Sequence, residues 1–382
     1  MRVSPILKEL GTYPFVEVDQ AKRRALAAGR SLIDFGLGEP REPVEPFIRD
    51  ALIEGLDAAQ GYPRSAGLPK LREAIATWTE RRFGVALNPE REIVPTLGSK
   101  EAIFSFAHLV VERGGEKDTV ITTEPGYPVA DRGARFAGAR VTELPLRAAV
   151  GFLPDLDAVG AETWSRTALV WLNYPNNPTA AVATGELYER ISALAAQHDF
   201  IVASDEAYSE IYFDAPPVSA LQCTDRSRIA VFNSLSKRSS MAGYRSGFLA
   251  ASPEIMAAVR TFRPMIGATP QEFVQRASLA AWLEESHVER MRERYRQKRE
   301  LLLSLFGRAG RRVAGAAATM FLWVETEAGE TSTDLALRLL DAGVVVTPGS
   351  ALGPSGEGYI RLALVPTFAD CQRAVTILED VL

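Results

Sequence analysis

Short apolar runs alternate with amphipathic stretches through most of the chain. Four of these runs hold four to six apolar or β-branched residues and then pass into polar or turn residues; they lie at 118–127, 167–178, 199–208 and 228–237. The stretch at 184–198, between two of them, has the spacing of an amphipathic helix. Continuous apolar strands separated by helices are typical of a mainly parallel sheet that is covered by helices on both faces. The pattern therefore predicts an α/β fold.

The pattern changes after residue 270. Residues 269–286 and 287–306 have the spacing of two long helices. Three strand-like segments follow, at 319–326, 343–349 and 359–365. We place a domain boundary near residue 285. The sequence thus predicts a large domain of residues 48–284 and a smaller α+β domain that is built from residues 1–47 and 285–382.

Composition narrows the class of protein. Hydrophobic residues make up 47% of the 382 residues and the net charge is −5, so the chain can bury a sizeable core and gives no reason to expect a nucleic-acid partner. Cys223 and Cys371 belong to no paired motif, which favours a reducing compartment. No apolar run approaches the roughly 18 residues of a membrane helix, and the N-terminus does not have the pattern of a signal peptide. We therefore expect a cytoplasmic protein that acts on small molecules, without a metal or a membrane partner.

Candidate chemistry lies at the ends of the four predicted strands, because the carboxyl ends of parallel strands meet at one edge of a sheet. One of these ends carries Lys237. A lysine that is partly withdrawn from water has a lowered pKa, and its neutral amine can form a Schiff base with a carbonyl. Pyridoxal phosphate is the cofactor most often held in this way. Taken alone, Lys237 would be interpreted as a surface lysine that follows a strand, so the hypothesis depends on its context.

The hypothesis requires partners for the cofactor ring. Asp205 ends a predicted strand and could hold the pyridine nitrogen, although a strand-end aspartate is often a helix cap. Asn177 and Tyr208 could donate to the phenolic oxygen, with an ordinary Asn-Pro turn as the alternative for Asn177. Tyr127 could stack on the ring or pack on the core. Each residue has a structural explanation of its own, so the hypothesis rests on their combination.

The phosphate requires backbone N–H groups at a helix start, with hydroxyl groups and a cation nearby. The candidates are Gly98, Ser99, Lys100, Ser234, Ser236 and Arg245. Arg361 interrupts an apolar strand, and its planar guanidinium suits a bidentate grip on a substrate carboxylate. A strand arginine can also extend its charge to the surface, which is the alternative for Arg361.

Four motifs resemble, in order and spacing, those of the class I/II aminotransferases of pyridoxal-phosphate fold type I: NYPNNPT, SDEAY, SLSKRSSMAGYRSGF and YIRLAL. The resemblance extends from residue 36 to residue 364. It implies that Lys237 carries the cofactor as an aldimine and shuttles the proton, and that Arg361 holds the α-carboxylate with Gly38 nearby. It implies the cofactor contacts proposed above for the remaining residues. It also implies a homodimer with shared active sites, in which Tyr62 contacts the phosphate of the neighbouring subunit.

One position departs from the family pattern. Many relatives have glycine where this chain has Ala180, just after the predicted cofactor contact Asn177. The departure puts the conformation of the turn in doubt and leaves the chemistry unaffected.

The choice of substrate is harder to predict than the reaction. Residues 238–240 and 97–110 resemble the N-succinyldiaminopimelate aminotransferases of lysine biosynthesis, which implies glutamate as donor and N-succinyl-2-amino-6-oxopimelate as acceptor. Arg41, Arg64 and Lys100 are candidates to bind the additional carboxylates. The alternatives are an aspartate, alanine or LL-diaminopimelate aminotransferase, and less directly a β-lyase. A catalytically silent regulator with the same fold would not need Lys237, Asp205 and Arg361 together.

Overall fold

The computed structural model describes residues 2–9 and 14–382. In chain order, the strands are β1 (Ile33–Asp34), β2 (Ile93–Thr96), β3 (Thr119–Glu124), β4 (Arg140–Pro145), β5 (Thr167–Asn173), β6 (Ile201–Asp205), β7 (Ile229–Ser234), β8 (Gly247–Ala251), β9 (Val313–Gly315), β10 (Phe321–Glu325), β11 (Val344–Val345), β12 (Thr347–Pro348) and β13 (Tyr359–Ala363).

The helices are α1 (Pro5–Glu9), α2 (Pro14–Ala27), α3 (Pro46–Glu54), α4 (Pro69–Phe83), α5 (Gly98–Val110), α6 (Val129–Ala137), α7 (Ala161–Arg166), α8 (Gly185–His198), α9 (Leu235–Arg238), α10 (Pro253–Ile266), α11 (Glu272–Leu283), α12 (Ser286–Arg308), α13 (Ser332–Asp341) and α14 (Phe368–Glu379). Within the described part of the chain, no helix combines the length and the apolar character that a membrane crossing needs.

The central sheet has seven strands in the order β2–β8–β7–β6–β5–β3–β4. All of them run parallel except β8, which is antiparallel to both neighbours. Successive side chains of a strand point to opposite faces. In β5, Val170 and Leu172 accordingly pack into one hydrophobic cluster, and Leu169 and Trp171 into another. Both faces of the sheet are therefore covered, and the predicted α/β fold with a mainly parallel sheet is confirmed.

A second core is built around the antiparallel sheet β12–β13–β10–β9 and the parallel pair β1–β11. The N-terminal segment joins this core because Ile33 pairs with Val344, and Phe35 is fully buried in the same cluster. Helix α11 ends at Leu283 and α12 begins at Ser286, so the predicted pair of helices is present with slightly different ends. The division into domains of 48–284 and of 1–47 with 285–382 stays a prediction.

Candidate active site

The carboxyl ends of the parallel strands open into a cleft of about 500 Å³. This cleft brings together most of the residues predicted from the sequence: Gly38, Ser99, Lys100, Tyr127, Asn177, Asp205, Tyr208, Ser234, Ser236, Lys237, Arg245 and Arg361. Gly98 lies immediately beneath the guanidinium of Arg245. Tyr62 is fully exposed and does not line the cleft. Separate strand ends thus converge on one site, as the parallel sheet requires.

Lys237 lies on the four-residue helix α9 at the end of β7. Its amino group donates a hydrogen bond to the carbonyl oxygen of Gly38 and lies 6.0 Å from the centre of the Tyr208 ring. The pKa of Lys237 is lowered to about 8, mainly by burial; the charge of Glu39 opposes this shift, and the charge of Arg361 contributes to it. A substantial fraction of this amine is therefore neutral slightly above neutral pH, which a nucleophile or proton acceptor requires.

Asp205 ends β6 and is 7% exposed. Among the described residues, Ala207 supplies the one hydrogen bond to its carboxylate, at 3.2 Å from the backbone nitrogen. Burial raises the pKa of Asp205 to about 7, although the Ala207 hydrogen bond and the charge of Lys237 act in the opposite direction. One hydrogen bond offsets only part of the cost of burying a negative charge, so this carboxylate suits a cationic ligand group directly beside it.

Arg361 lies on β13 and is 1% exposed. Its guanidinium donates to Oδ1 of Asn177 at 2.9 Å and to the carbonyl oxygen of Gly36 at 2.7 Å, and it stacks on the Phe321 ring at 4.6 Å. These contacts fix the plane of the guanidinium at the wall of the cleft. A side chain on Gly38 would come within 2.8 Å of the same Phe321 ring, so glycine is needed to keep this wall open.

The start of α5 forms the opposite wall. Gly98 has φ of +71°, and a Cβ there would lie 2.7 Å from Nη2 of Arg245. Arg245 is held in place by the carbonyl oxygen of Leu97, at 3.2 Å. The pKa of Lys100 is lowered by burial and by the nearby charges of Arg245 and Arg132. A helix N-terminus beside clustered cations favours an anionic group such as a phosphate.

The turn that carries Asn177 is ordered by its neighbours. The backbone nitrogen of Asn177 donates to Oδ1 of Asn173 at 3.0 Å, and the Asn177–Pro178 peptide bond is cis. Ala180 is fully buried and has φ of +57°. Alanine therefore adopts the left-handed conformation that glycine would take more easily, at a cost of roughly 1 kcal/mol. The turn is formed despite the departure from the family pattern.

Several residues considered for substrate recognition lie away from the cleft. Arg41 pairs with Asp34 at 2.9 Å, and Arg64 is exposed. The polar groups of residues 238–240 contact the α11–α12 region, and none of the three residues lines the cleft. Among the three cationic candidates for additional carboxylates, only Lys100 lines the cleft.

Among the cleft residues that were not predicted from the sequence, Glu39 and Phe321 bear most directly on the chemistry. The position of Glu39 could have been predicted from the sequence, because this residue directly follows Gly38, which was already assigned to the site. The sequence gives no comparable indication for Phe321, because its place in the cleft depends on how β10 of the second core packs against the central sheet. The approach of Phe321 is a tertiary contact that no local pattern encodes.

Comparison with known proteins agrees with this geometry. Residues 30–378 match the family described as aminotransferase class I and II. The chain is 35% identical to LL-diaminopimelate aminotransferase 2 of Nostoc sp. over 387 aligned residues, covering 100% of this chain and 98% of that protein. It also resembles a solved structure from Thermus thermophilus named "probable N-succinyldiaminopimelate aminotransferase", with a TM-score of 0.89, 32% identity, and coverage of 97% and 100%.

A single mutant of the aspartate aminotransferase of Thermus thermophilus has the same fold, with a TM-score of 0.92 at 28% identity and coverage of 100% of both chains. The family match covers most of the chain, and the cleft of this structure lies where its motifs converge. The chain therefore belongs to the class I and II aminotransferases of pyridoxal-phosphate fold type I.

Proposed function

We propose that this enzyme transfers the amino group of glutamate to N-succinyl-2-amino-6-oxopimelate, in the cytoplasm, as a step of lysine biosynthesis. As a class I and II aminotransferase it depends on pyridoxal phosphate. The observation that carries the proposal is that Arg361 and Lys100 line the same cleft as Lys237. Glutamate and the proposed acceptor each carry a distal carboxylate in addition to the α-carboxylate. Two cations in one cleft suit such substrates.

The residues of the cleft fit the cofactor. The buried carboxylate of Asp205 accepts one hydrogen bond from the described residues, so it suits a protonated ring nitrogen as a further partner. The start of α5, together with the guanidinium of Arg245, suits a phosphate. We assign the phenolic oxygen to Asn177 and Tyr208 and the face of the ring to Tyr127. Ser99, Lys100 through its backbone, Ser234 and Ser236 complete the phosphate site. When bound, pyridoxal phosphate supplies an electron sink for the negative charge that develops on the substrate.

The protein groups then perform three tasks. The guanidinium of Arg361 binds the α-carboxylate and fixes the orientation of the substrate. The amine of Lys237 accepts the proton of the substrate α-carbon and holds it for return. Asp205 keeps the ring nitrogen protonated through its negative charge. A positioned acid–base group of this kind typically contributes about 10²–10⁴-fold to the rate.

A second candidate substrate is LL-diaminopimelate. The Nostoc relative carries this name. Glu39 lines the cleft, and its carboxylate would accept hydrogen bonds from the free distal ammonium of LL-diaminopimelate. In the succinylated acceptor the corresponding nitrogen is a neutral amide, which gains less from a carboxylate. Binding of LL-diaminopimelate should therefore depend on the charge of Glu39, and binding of the succinylated substrate should not.

Steady-state assays of wild type and of Glu39→Gln separate the two candidates. With 2-oxoglutarate as acceptor, we expect wild type to prefer N-succinyl-LL-diaminopimelate, the amino form of the succinylated substrate, over LL-diaminopimelate by at least about tenfold in kcat/KM, a difference of about 1.4 kcal/mol. Glu39→Gln should change the succinylated reaction by less than about threefold, because a neutral amide nitrogen gains little from a carboxylate. A wild-type preference for LL-diaminopimelate that Glu39→Gln removes would establish the second candidate. A strong preference for aspartate or alanine would contradict both.

Lys100→Met is expected to lower kcat/KM for glutamate by about 10–100-fold, because a hydrogen bond to a charged group contributes about 1.5–3 kcal/mol. Alanine has no distal carboxylate, so its half-reaction should change by less than about twofold. Arg132→Met is the matched control, because Arg132 lies near Lys100 but lines the neighbouring groove rather than the cleft. An equal loss for alanine and glutamate would show that Lys100 acts on the cofactor and not on the substrate side chain.

We further propose that the enzyme is a homodimer. A groove of about 850 Å³ borders the cleft, and its apolar lining includes Leu7, Phe104, Phe136, Phe262 and Ile266. Apolar surface of this extent is typical of an interface. Lys100 and Arg245 line both the groove and the cleft, so a second copy seated in the groove would lie next to the phosphate site.

Mixing two variants tests the shared site. Tyr62→Ala is expected to weaken cofactor binding about tenfold, because it loses a hydrogen bond to a charged group. After subunit exchange with Lys237→Ala, half of the dimers are mixed, and each mixed dimer has one intact site; about a quarter of wild-type activity should return at limiting cofactor. A mixture of Asp205→Asn and Lys237→Ala is the control and should recover nothing, because both residues belong to one subunit's site. No recovery with Tyr62→Ala would contradict its assignment.

A further inference from the structure

The three residues that follow Lys237 contact the α11–α12 region. Arg238 is 1% exposed, and its guanidinium lies 4.6 Å from the centre of the Trp282 ring. It donates to the carbonyl oxygen of Ala281 at 2.8 Å and forms a further hydrogen bond with Glu285. Adjacent residues of α9 thus have different surroundings. Lys237 lines the cleft, whereas Arg238 is buried against α11.

Ser239 continues this anchorage through a relay of hydrogen bonds. Its Oγ lies 2.8 Å from Nε2 of His287, and Nδ1 of His287 lies 2.7 Å from Oε2 of Glu284. Hydrogen bonds from Ser286 and His287 outweigh the effect of burial and lower the pKa of Glu284 to about 2, so this carboxylate only accepts. Burial lowers the pKa of His287, so its ring is neutral at neutral pH. Nδ1 of the neutral ring must then carry the proton, and Nε2 accepts the hydroxyl proton of Ser239. The relay is satisfied in this one arrangement.

Ser240 completes the set. It has φ of +54°, a left-handed conformation, and its Oγ lies 3.9 Å from Sδ of Met291. We call Arg238, Ser239 and Ser240, with their contacts to residues 281–291, the 238–240 clamp. A helix of four residues cannot hold its own position, since helix formation needs several turns or tertiary support. Helix α9 therefore depends on β7 at one end and on the clamp at the other.

We propose that the 238–240 clamp is a positioning device that fixes the backbone of Lys237 against the start of α12, and thereby places the Lys237 amine in the cleft. The inference rests on the role proposed for Lys237. It also gives residues 238–240, which resemble a substrate-specific motif, a role that involves no substrate contact. Helix α12 belongs to the second core through Val288 and Met291, so the clamp ties the lysine to the part of the protein that carries Arg361.

The test compares Arg238→Met and Ser239→Ala with wild type. We expect the glutamate half-reaction at saturating substrate to slow about tenfold or more, because small displacements of a catalytic group are costly. The dissociation constant for glutamate should change by less than about twofold, since Arg361 and Lys100 are untouched. The second readout uses the apoprotein: the pH dependence of the rate of pyridoxal phosphate uptake reports the pKa of the Lys237 amine. This pKa should rise in both variants, because a displaced amine gains water.

Two controls separate positioning from stability. Arg81→Met removes the other arginine that donates to Oε1 of Glu285; it keeps the hydrogen bonds of Arg238 and Ser239, so both readouts should stay at wild-type values. Leu302→Ala creates a cavity in the second core and should lower Tm without changing the uptake pKa. The proposal is overturned if the clamp variants keep the wild-type rate and uptake pKa, or if Leu302→Ala shifts that pKa equally. Ser239→Ala removes only one hydroxyl, so it keeps the test available if Arg238→Met does not fold.

The rate of cofactor uptake also separates failure of the role proposed for Lys237 from failure of the role proposed for the 238–240 clamp. If Lys237→Ala takes up the cofactor with the same rate and pH dependence as wild type, the proposed role of Lys237 fails and the clamp with it. If wild type shows a lysine-dependent uptake that the clamp variants leave unchanged, only the clamp fails.

Discussion

Replacing Lys237 with alanine is expected to lower the turnover of glutamate by about 10⁴-fold or more, because the substitution removes both the covalent attachment and the proton acceptor. The protein should lose the visible absorption of cofactor joined to the lysine. It should still bind pyridoxal phosphate reversibly, since Asp205, Arg245 and the start of α5 remain. Absorption spectroscopy and single-turnover kinetics with glutamate measure both effects.

Lys100→Ala is the matched control, because Lys100 is the other lysine of the cleft. It should keep the absorption of the attached cofactor and lose mainly the discrimination for a distal carboxylate. If Lys237→Ala retained the wild-type spectrum, or if Lys100→Ala abolished it, the assignment of the two lysines would be wrong.

Asp205→Asn is expected to lower kcat by about 10²–10³-fold, the usual effect of removing one preorganised electrostatic partner. A neutral amide cannot keep the ring nitrogen protonated. The same change should stabilise the apoprotein above about pH 7. The pKa of Asp205 is about 7 in the folded protein and near 3.8 otherwise, so the folded state binds the proton more tightly. Stability therefore falls as pH rises between these two values, and asparagine removes this loss. Thermal unfolding of the apoprotein as a function of pH measures it.

Glu206 provides a control for the stability effect. It is 1% exposed, and burial raises its pKa to about 7, as for Asp205. Its carboxylate accepts from the backbone nitrogen of Ala220 at 2.8 Å and does not line the cleft. Glu206→Gln should flatten the same pH dependence of stability while leaving kcat within about threefold, a change of less than about 0.7 kcal/mol. A comparable loss of kcat in both variants would contradict the separate role of Asp205.

The fold could be predicted from the sequence because β5, β6 and β7 are buried on both faces. Such strands produce continuous apolar runs that stand out between amphipathic helices. The site could be predicted because Asp205, Asn177 and Lys237 each follow such a run, and a parallel sheet brings these ends together. The local pattern thus contained the topology that assembles the site.

The sequence patterns did not predict the tertiary contacts of individual polar side chains. Residues 238–240 resemble a substrate-specific motif, but the guanidinium of Arg238 lies against the Trp282 ring and none of the three residues lines the cleft. Arg41 is paired with Asp34 of β1, a contact that depends on how the N-terminal segment joins the second core. The direction of a polar side chain on a short element is set by what packs around it. Sequence spacing alone does not determine it.

The most direct test of the central claim is a single-turnover reaction of the cofactor-loaded protein with glutamate in the absence of any keto acid acceptor. An aminotransferase should release one equivalent of 2-oxoglutarate per active site, retain the amino group, and return to its starting spectrum when a second keto acid is added. A β-lyase would form no 2-oxoglutarate from glutamate, and it would continuously release pyruvate and ammonia from an alanine derivative that carries a leaving group on Cβ. The absence of any 2-oxoglutarate would contradict the enzymatic function.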